Sequence, residues 1–202
     1  MSLYITKAGQ VYADRIKVKI FPGIERGELN QVNGIVVHQT NSPTASATFN
    51  SYANTGANGA HFLIDKDGTI YQTASVYKRA NHVGKLKSRC LAEHSCRPTD
   101  LQIVQRLKDK PTPLHRHEQK KPYPERYPSN VDSIGIEIVG MAQGQGSDEK
   151  KVYESVTDAQ NNSLRWLVRQ LADTWNISLQ EVFTHPTVSR KNLTEASTAK
   201  WH

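Results

Sequence analysis

The sequence holds no apolar run long enough to span a bilayer, which excludes a membrane-spanning helix and predicts a soluble chain without membrane insertion. Its start, Met1-Ser-Leu-Tyr-Ile-Thr-Lys7, lacks the basic segment, apolar stretch and small-residue cleavage site of an export signal. The expectation is a protein made in the cytoplasm with no signal peptide. Internal repeats and low-complexity tracts are also missing. There is no zinc-finger spacing and no basic helix interleaved with aromatics, which argues against nucleic acid as a partner. The net charge of +7 still favours a polyanion, and a bacterial wall or an anionic lipid surface would satisfy it equally.

Cysteine is scarce as well. Cys90 and Cys96 flank Glu93-His94 in a segment of loop composition, a spacing that permits either a small disulfide-closed loop or two free thiols. A disulfide would imply an oxidising destination. A zinc knuckle is disfavoured, because Cys90, His94 and Cys96 are three ligands where a structural site needs four.

What the sequence does contain fits one domain, residues 1–202, since 202 residues at 37% hydrophobic content suffice for one full-sized core. The β-branched run Gly34 to His38 predicts a strand with His38 at its exit. Ser42-Pro43 reads as an N-cap and first helical proline, with Phe49, Tyr52 and Ala53 following at helical spacing. His61 to Ile64 and Thr69 to Gln72 predict a hairpin turned by Asp67-Gly68. From about residue 85 to 130 the pattern breaks into Pro, Lys, Arg and His, with only Leu101 to Leu107 predicted helical. That stretch reads as a long insertion, suited to walling a binding groove. Ser133 to Gly140 alternates, so Glu137 points away from the face of Ile134, Ile136 and Ile138. Thr157-Asp-Ala-Gln160 is a capping box opening an amphipathic helix through Leu164, Leu167, Val168, Leu171 and Trp175. Val182 to His185 then returns to the sheet and places His185 at a strand end.

Taken together, a histidine ending an apolar strand, a carboxylate inside a second strand and a histidine before a polar loop suggest a strand-edge metal site with a general base. Zinc hydrolysis is the chemistry that fits, since a hydrolytic zinc takes three protein ligands and keeps one position open.

Five segments in order resemble the zinc-dependent N-acetylmuramoyl-L-alanine amidases, the family that includes phage amidase lysozymes, wall-recycling amidases and peptidoglycan recognition proteins. They are Val36-Val-His38-Gln-Thr40, Ala60 to Gln72, Asn81-His82-Val-Gly84, Ser133-Ile-Gly-Ile-Glu137, and His185 with Lys191. The resemblance implies an α/β fold with a mixed, mostly parallel central sheet flanked by helices and a zinc groove at the strand ends. It implies a zinc-activated water attacking the amide between N-acetylmuramic acid and L-alanine of the peptidoglycan stem peptide. Glu137 is then the candidate base, Lys191 the oxyanion partner, and His38 and His185 two zinc ligands. His61 and His82 match groove positions that do not bind metal, so both are candidates for contacting substrate or for supporting the metal ligands, and His82 is the one expected to touch substrate. Asn81 stands where the family has tryptophan. Leu193 stands where the family places a cysteine or aspartate ligand, so Glu195, ten residues after His185, is nominated as the third ligand.

Two rival readings accompany this one: a wall-recognition module without catalysis, and a cytosolic enzyme recycling small muropeptides. The basic charge, the insertion and the cysteine pair favour a lytic enzyme acting on polymeric wall. Its expected route is non-Sec delivery into the periplasm of a target bacterium, as an injected antibacterial toxin more than as an endolysin. A toxin would imply a cognate immunity protein that plugs the groove.

Overall fold

The computed structural model describes residues 3–202; Met1 and Ser2, where the expected absence of an export signal begins, lie outside the described residues. Among the described residues, no helix is long and apolar enough to cross a membrane. A six-stranded sheet forms the centre. Its strands in chain order are β1 (Ile16–Val18), β2 (Gly34–Gln39), β3 (Phe62–Ile64), β4 (Ile70–Gln72), β5 (Ser133–Ile138) and β6 (Val182–Thr184). The spatial order is β6-β2-β5-β3-β4-β1, and only the β3-β4 hairpin pairing is antiparallel. The sheet is therefore mixed and mostly parallel, as expected.

Among the described residues six α-helices accompany it: α1 (Ala45–Tyr52), α2 (Arg89–Ala92), α3 (Pro98–Leu107), α4 (Pro111–Glu118), α5 (Asp158–Trp175) and α6 (His185–Val188). Helix α5 begins at the expected capping box: Thr157 accepts from the Gln160 backbone, and Gln160 reaches back to the Thr157 N–H. Asn176, in the left-handed region, ends it. Its apolar stripe of Leu164, Leu167, Val168 and Leu171 is buried against Ile35, Val37, Phe62, Ile64, Ile134, Ile136 and Ile138. One face of the sheet is thus consumed by the core. The other face, at the ends of β2, β5 and β6, remains for chemistry.

Three expectations need correction. Helix α1 starts at Ala45 and is capped by Thr44, whose hydroxyl accepts from Ala47 N at 3.1 Å, not by Ser42. The segment around residues 85–130 also holds three helices, where a single short one was expected. Pro98 and Pro111 open α3 and α4 from their first turns, where a missing N–H removes no helical bond. Within that segment Cys90 and Cys96 are joined by a disulfide, which decides between the two readings of the pair and leaves neither thiol for a metal. The insertion also supplies little of the groove wall, since Asn130 is its one residue lining the groove described below.

Thr157→Ala removes the cap of the helix on which the sheet packs. It should lower stability by about 1 kcal/mol in urea denaturation without altering the groove.

Candidate metal and catalytic site

Parallel pairing sets the level of the site. β2 and β5 run in register, with His38 directly opposite Glu137, and β6 pairs with the other side of β2, with Thr184 opposite Val37. His185 follows Thr184 at once and begins α6, so its ring arrives beside that of His38 with centroids 4.2 Å apart. The chain then makes a loop that returns Glu195 to both rings. Ala196 takes φ of 54°, in the left-handed region, and gives its N–H to Gln39 Oε1 at 2.9 Å. Gln39, adjacent to His38 on β2, thereby anchors the loop that presents Glu195.

His38, His185 and Glu195 are all buried, and their ligand atoms lie within 4.8 Å of one another. Hydrogen bonding tests whether they fit a metal. His185 Nε2 lies 2.9 Å from the Val83 carbonyl oxygen, which can only accept, so the ring's proton sits on Nε2. Its bare Nδ1 then faces Glu195 Oε1 at 2.9 Å. Two acceptors that close require a cation between them, either a proton or a metal ion. Burial pushes the Glu195 carboxyl up, but the hydrogen bonds with His185 and His38 outweigh it and hold the group at about 2, so it remains a carboxylate. His38 is held down at about 4 by burial and by the neighbouring His185, and is neutral near pH 7. Two imidazoles and one carboxylate form a donor set that suits zinc. The backbone carbonyl behind His185 is the kind of outer partner that orients a metal-binding imidazole.

Glu137 stands at the edge of this cluster. Burial raises its carboxyl from 4.5 to about 7, against a lowering hydrogen bond from Tyr52. The Tyr52 hydroxyl donates to Glu137 Oε2 at 2.7 Å and also lies 3.4 Å from Ala60 N. Tyr52 escaped the sequence reading because it falls on the apolar stripe of α1, where a tyrosine looks like core. The only available signal was that a buried Tyr hydroxyl needs a partner.

The groove encloses about 510 Å3 and is lined by His38, His82, Glu137, His185, Lys191 and Glu195 with polar neighbours that include Asn58, Asn81, Asn130 and Tyr153. Lys191 is exposed at its rim. Leu193 is 78% exposed and points away, whereas Glu195 is 5% exposed. His82 lines the groove, but its nitrogens lie against His38 Nε2 at 3.0 Å and Ser133 Oγ at 3.3 Å. Burial and the adjacent His38 hold its pKa well below the usual histidine range. His61 does not reach the groove. It is fully buried, receiving the Gly135 N–H on Nδ1 at 3.0 Å and donating from Nε2 to the Lys78 carbonyl at 2.9 Å. The expectation that His61 contacts substrate is therefore corrected: it ties the hairpin to β5.

The family profile described as N-acetylmuramoyl-L-alanine amidase matches residues 28–199, which includes every element of this site. The chain belongs to that family. Among solved structures, AmpD is similar over 98% of this chain and 96% of its own, at 19% identity and a TM-score of 0.57. PlyL is similar over 87% of this chain and 84% of its own, at 18% identity and a TM-score of 0.52. AmpDh3 from Pseudomonas aeruginosa, in complex with anhydromuramic pentapeptide, covers 79% of this chain and 53% of its own, at 20% identity and a TM-score of 0.52. At these identities the three share the amidase fold with this chain. No curated protein sequence matches it significantly.

Metal and proton sites give two expectations. Purified protein should take up one zinc ion per chain, measured by elemental analysis after dialysis, and His185→Ala and Glu195→Ala should lose it. In the metal-free amidase, Glu137 holds its proton more tightly folded than unfolded. The stability it contributes is therefore complete below pH 4.5 and is lost as pH rises through about 7. Glu137→Gln should accordingly melt with the wild type at pH 4 and above it at pH 8, by roughly 1–2 kcal/mol, in calorimetry.

Proposed function

We propose that this amidase is a zinc-dependent peptidoglycan hydrolase that cleaves the amide between N-acetylmuramic acid and L-alanine of the stem peptide. The observation that carries the reading is the buried set of His38, His185 and Glu195 beside a partly buried Glu137 whose Oε2 is held by the Tyr52 hydroxyl. A zinc ion held by those three residues would polarise the scissile carbonyl and make a water molecule at the open position a stronger nucleophile.

The chain's own groups supply the rest. Glu137, held by Tyr52 at the edge of the cluster, would accept the proton of the attacking water and return it to the departing amine of L-alanine. Tyr52 holds Oε2 of Glu137, fixing the carboxylate's orientation while the group still lines the groove. Lys191 at the rim brings positive charge to the oxyanion of the tetrahedral intermediate. His82 stands behind His38, so its part is in orienting the site more than in gripping the sugar or peptide.

Polymeric, anionic wall is the substrate that the charge of +7 supports over small released muropeptides. The Cys90–Cys96 disulfide supports an oxidising compartment such as a periplasm. Our proposal for its biology is a lytic antibacterial toxin delivered into a rival's periplasm and restrained at home by an immunity protein that covers the groove.

Digestion of purified peptidoglycan, followed by mass spectrometry, tests the chemistry. Wild type should release free stem peptides beginning with L-alanine. Chelation should stop the reaction, and Glu137→Ala should slow it by about 10^2 to 10^4. Wall that binds the protein but stays intact would make it a recognition module instead.

A further inference from the structure

Ser133, His82 and His38 form a hydrogen-bonded chain in which each proton dictates the next. Ser133 Oγ lies 2.6 Å from the Ser129 carbonyl oxygen, which can only accept, so the hydroxyl proton points there. Ser133 Oγ is then left to accept from His82 Nε2, 3.3 Å away. A neutral imidazole carries one N–H, so His82 Nδ1 is bare and accepts from His38 Nε2 at 3.0 Å. His38 is thereby obliged to present a bare Nδ1 toward Glu195 Oε1, 3.7 Å away.

We infer that Ser133 and His82 are positioning residues that set the tautomer of His38, so that its Nδ1 lone pair, and not an N–H, faces Glu195. The same short segment sets the other imidazole, because the carbonyl of Val83 takes the Nε2 proton of His185. Asn130 holds that segment: its Oδ1 accepts from both His82 N at 2.9 Å and Val83 N at 2.8 Å. Residues 82 and 83 thus lock both histidines into the form that turns Nδ1 inward. Strand β5 is shaped to admit the lock. A Cβ on Gly135 would lie 2.8 Å from His82 Cγ and Nδ1, closer than such contacts allow, so glycine clears the space for the ring. Ser133, Gly135 and Glu137 share one face of β5, and each serves the site: an acceptor, a gap and a base.

The tautomer does not depend on the amidase reading; only the metal readout rests on it. In metal-free protein labelled with 15N, imidazole spectra should show His38 and His82 protonated on Nε2. Ser133→Ala should shift both toward the Nδ1–H form and weaken binding of zinc ion alone by about 10- to 100-fold. His82→Asn places an amide oxygen near the former Nδ1 and should keep the His38 tautomer and most of the affinity, whereas His82→Leu should lose both. His38 protonated on Nδ1 in the wild type would overturn the inference, and so would Ser133→Ala with unchanged spectra and affinity. Equal losses in His82→Asn and His82→Leu would also overturn it. Should Ser133→Ala fail to fold, the wild-type spectrum decides alone. Wild-type protein with the expected tautomers that takes up no zinc would uphold the lock and reject the metal site.

Discussion

Three hydrogen-bond acceptors that face one another in a buried corner form the constraint around which this domain is organised. His38 Nδ1 and His185 Nδ1 both turn toward Glu195 Oε1, so a cation, proton or metal ion, must stand between the rings and the carboxylate. Left alone, such a cluster repels itself and lacks the solvation it would have in water. A cation relieves it, and the surroundings are arranged to keep the place open for one. The carbonyls of Val83 and Ser129 take up the protons that would otherwise fill the corner, the second through Ser133 and His82. A positive-φ residue, Ala196, is accepted so that Glu195 can close the set.

The parallel sheet makes this arrangement affordable in chain length. Three neighbouring strands, β6, β2 and β5, end at one level, so one residue from each strand or its exit meets the others without any long side chain reaching across. The opposite face of the same strands is packed on α5, which fixes their relative height through close-packed isoleucine, valine and leucine. Tyr52 then brings α1 into the site through its hydrogen bond to Glu137, coupling the orientation of that carboxylate to a helix on the groove side. Site geometry here is a consequence of register, with loops adding one carboxylate and one rim lysine.

Much of this was legible in the sequence because it is local. The alternation of Ser133 to Glu137 told which face carries the carboxylate, and Thr157 with Gln160 marked the start of α5 to the residue. Other features were hidden because they depend on contacts distant in sequence. Tyr52 and Glu137 are 85 residues apart, and nothing in the pattern of α1 distinguishes a tyrosine that holds a carboxylate from one that fills the core. His61 and His82 look alike as motif histidines, yet one is sealed under the sheet by Gly135 and Lys78 and the other stands against His38. Proline misled in the insertion, since Pro98 and Pro111 open helices there instead of preventing them.

X-ray absorption at the zinc edge of the zinc-loaded protein tests the central claim most directly, because it reads the ligands without reference to substrate. The account predicts one zinc with a nitrogen and oxygen shell containing two imidazoles, reduced to a weaker, solvent-rich shell in Glu195→Ala. A shell containing sulfur, or one unchanged by Glu195→Ala, would contradict it.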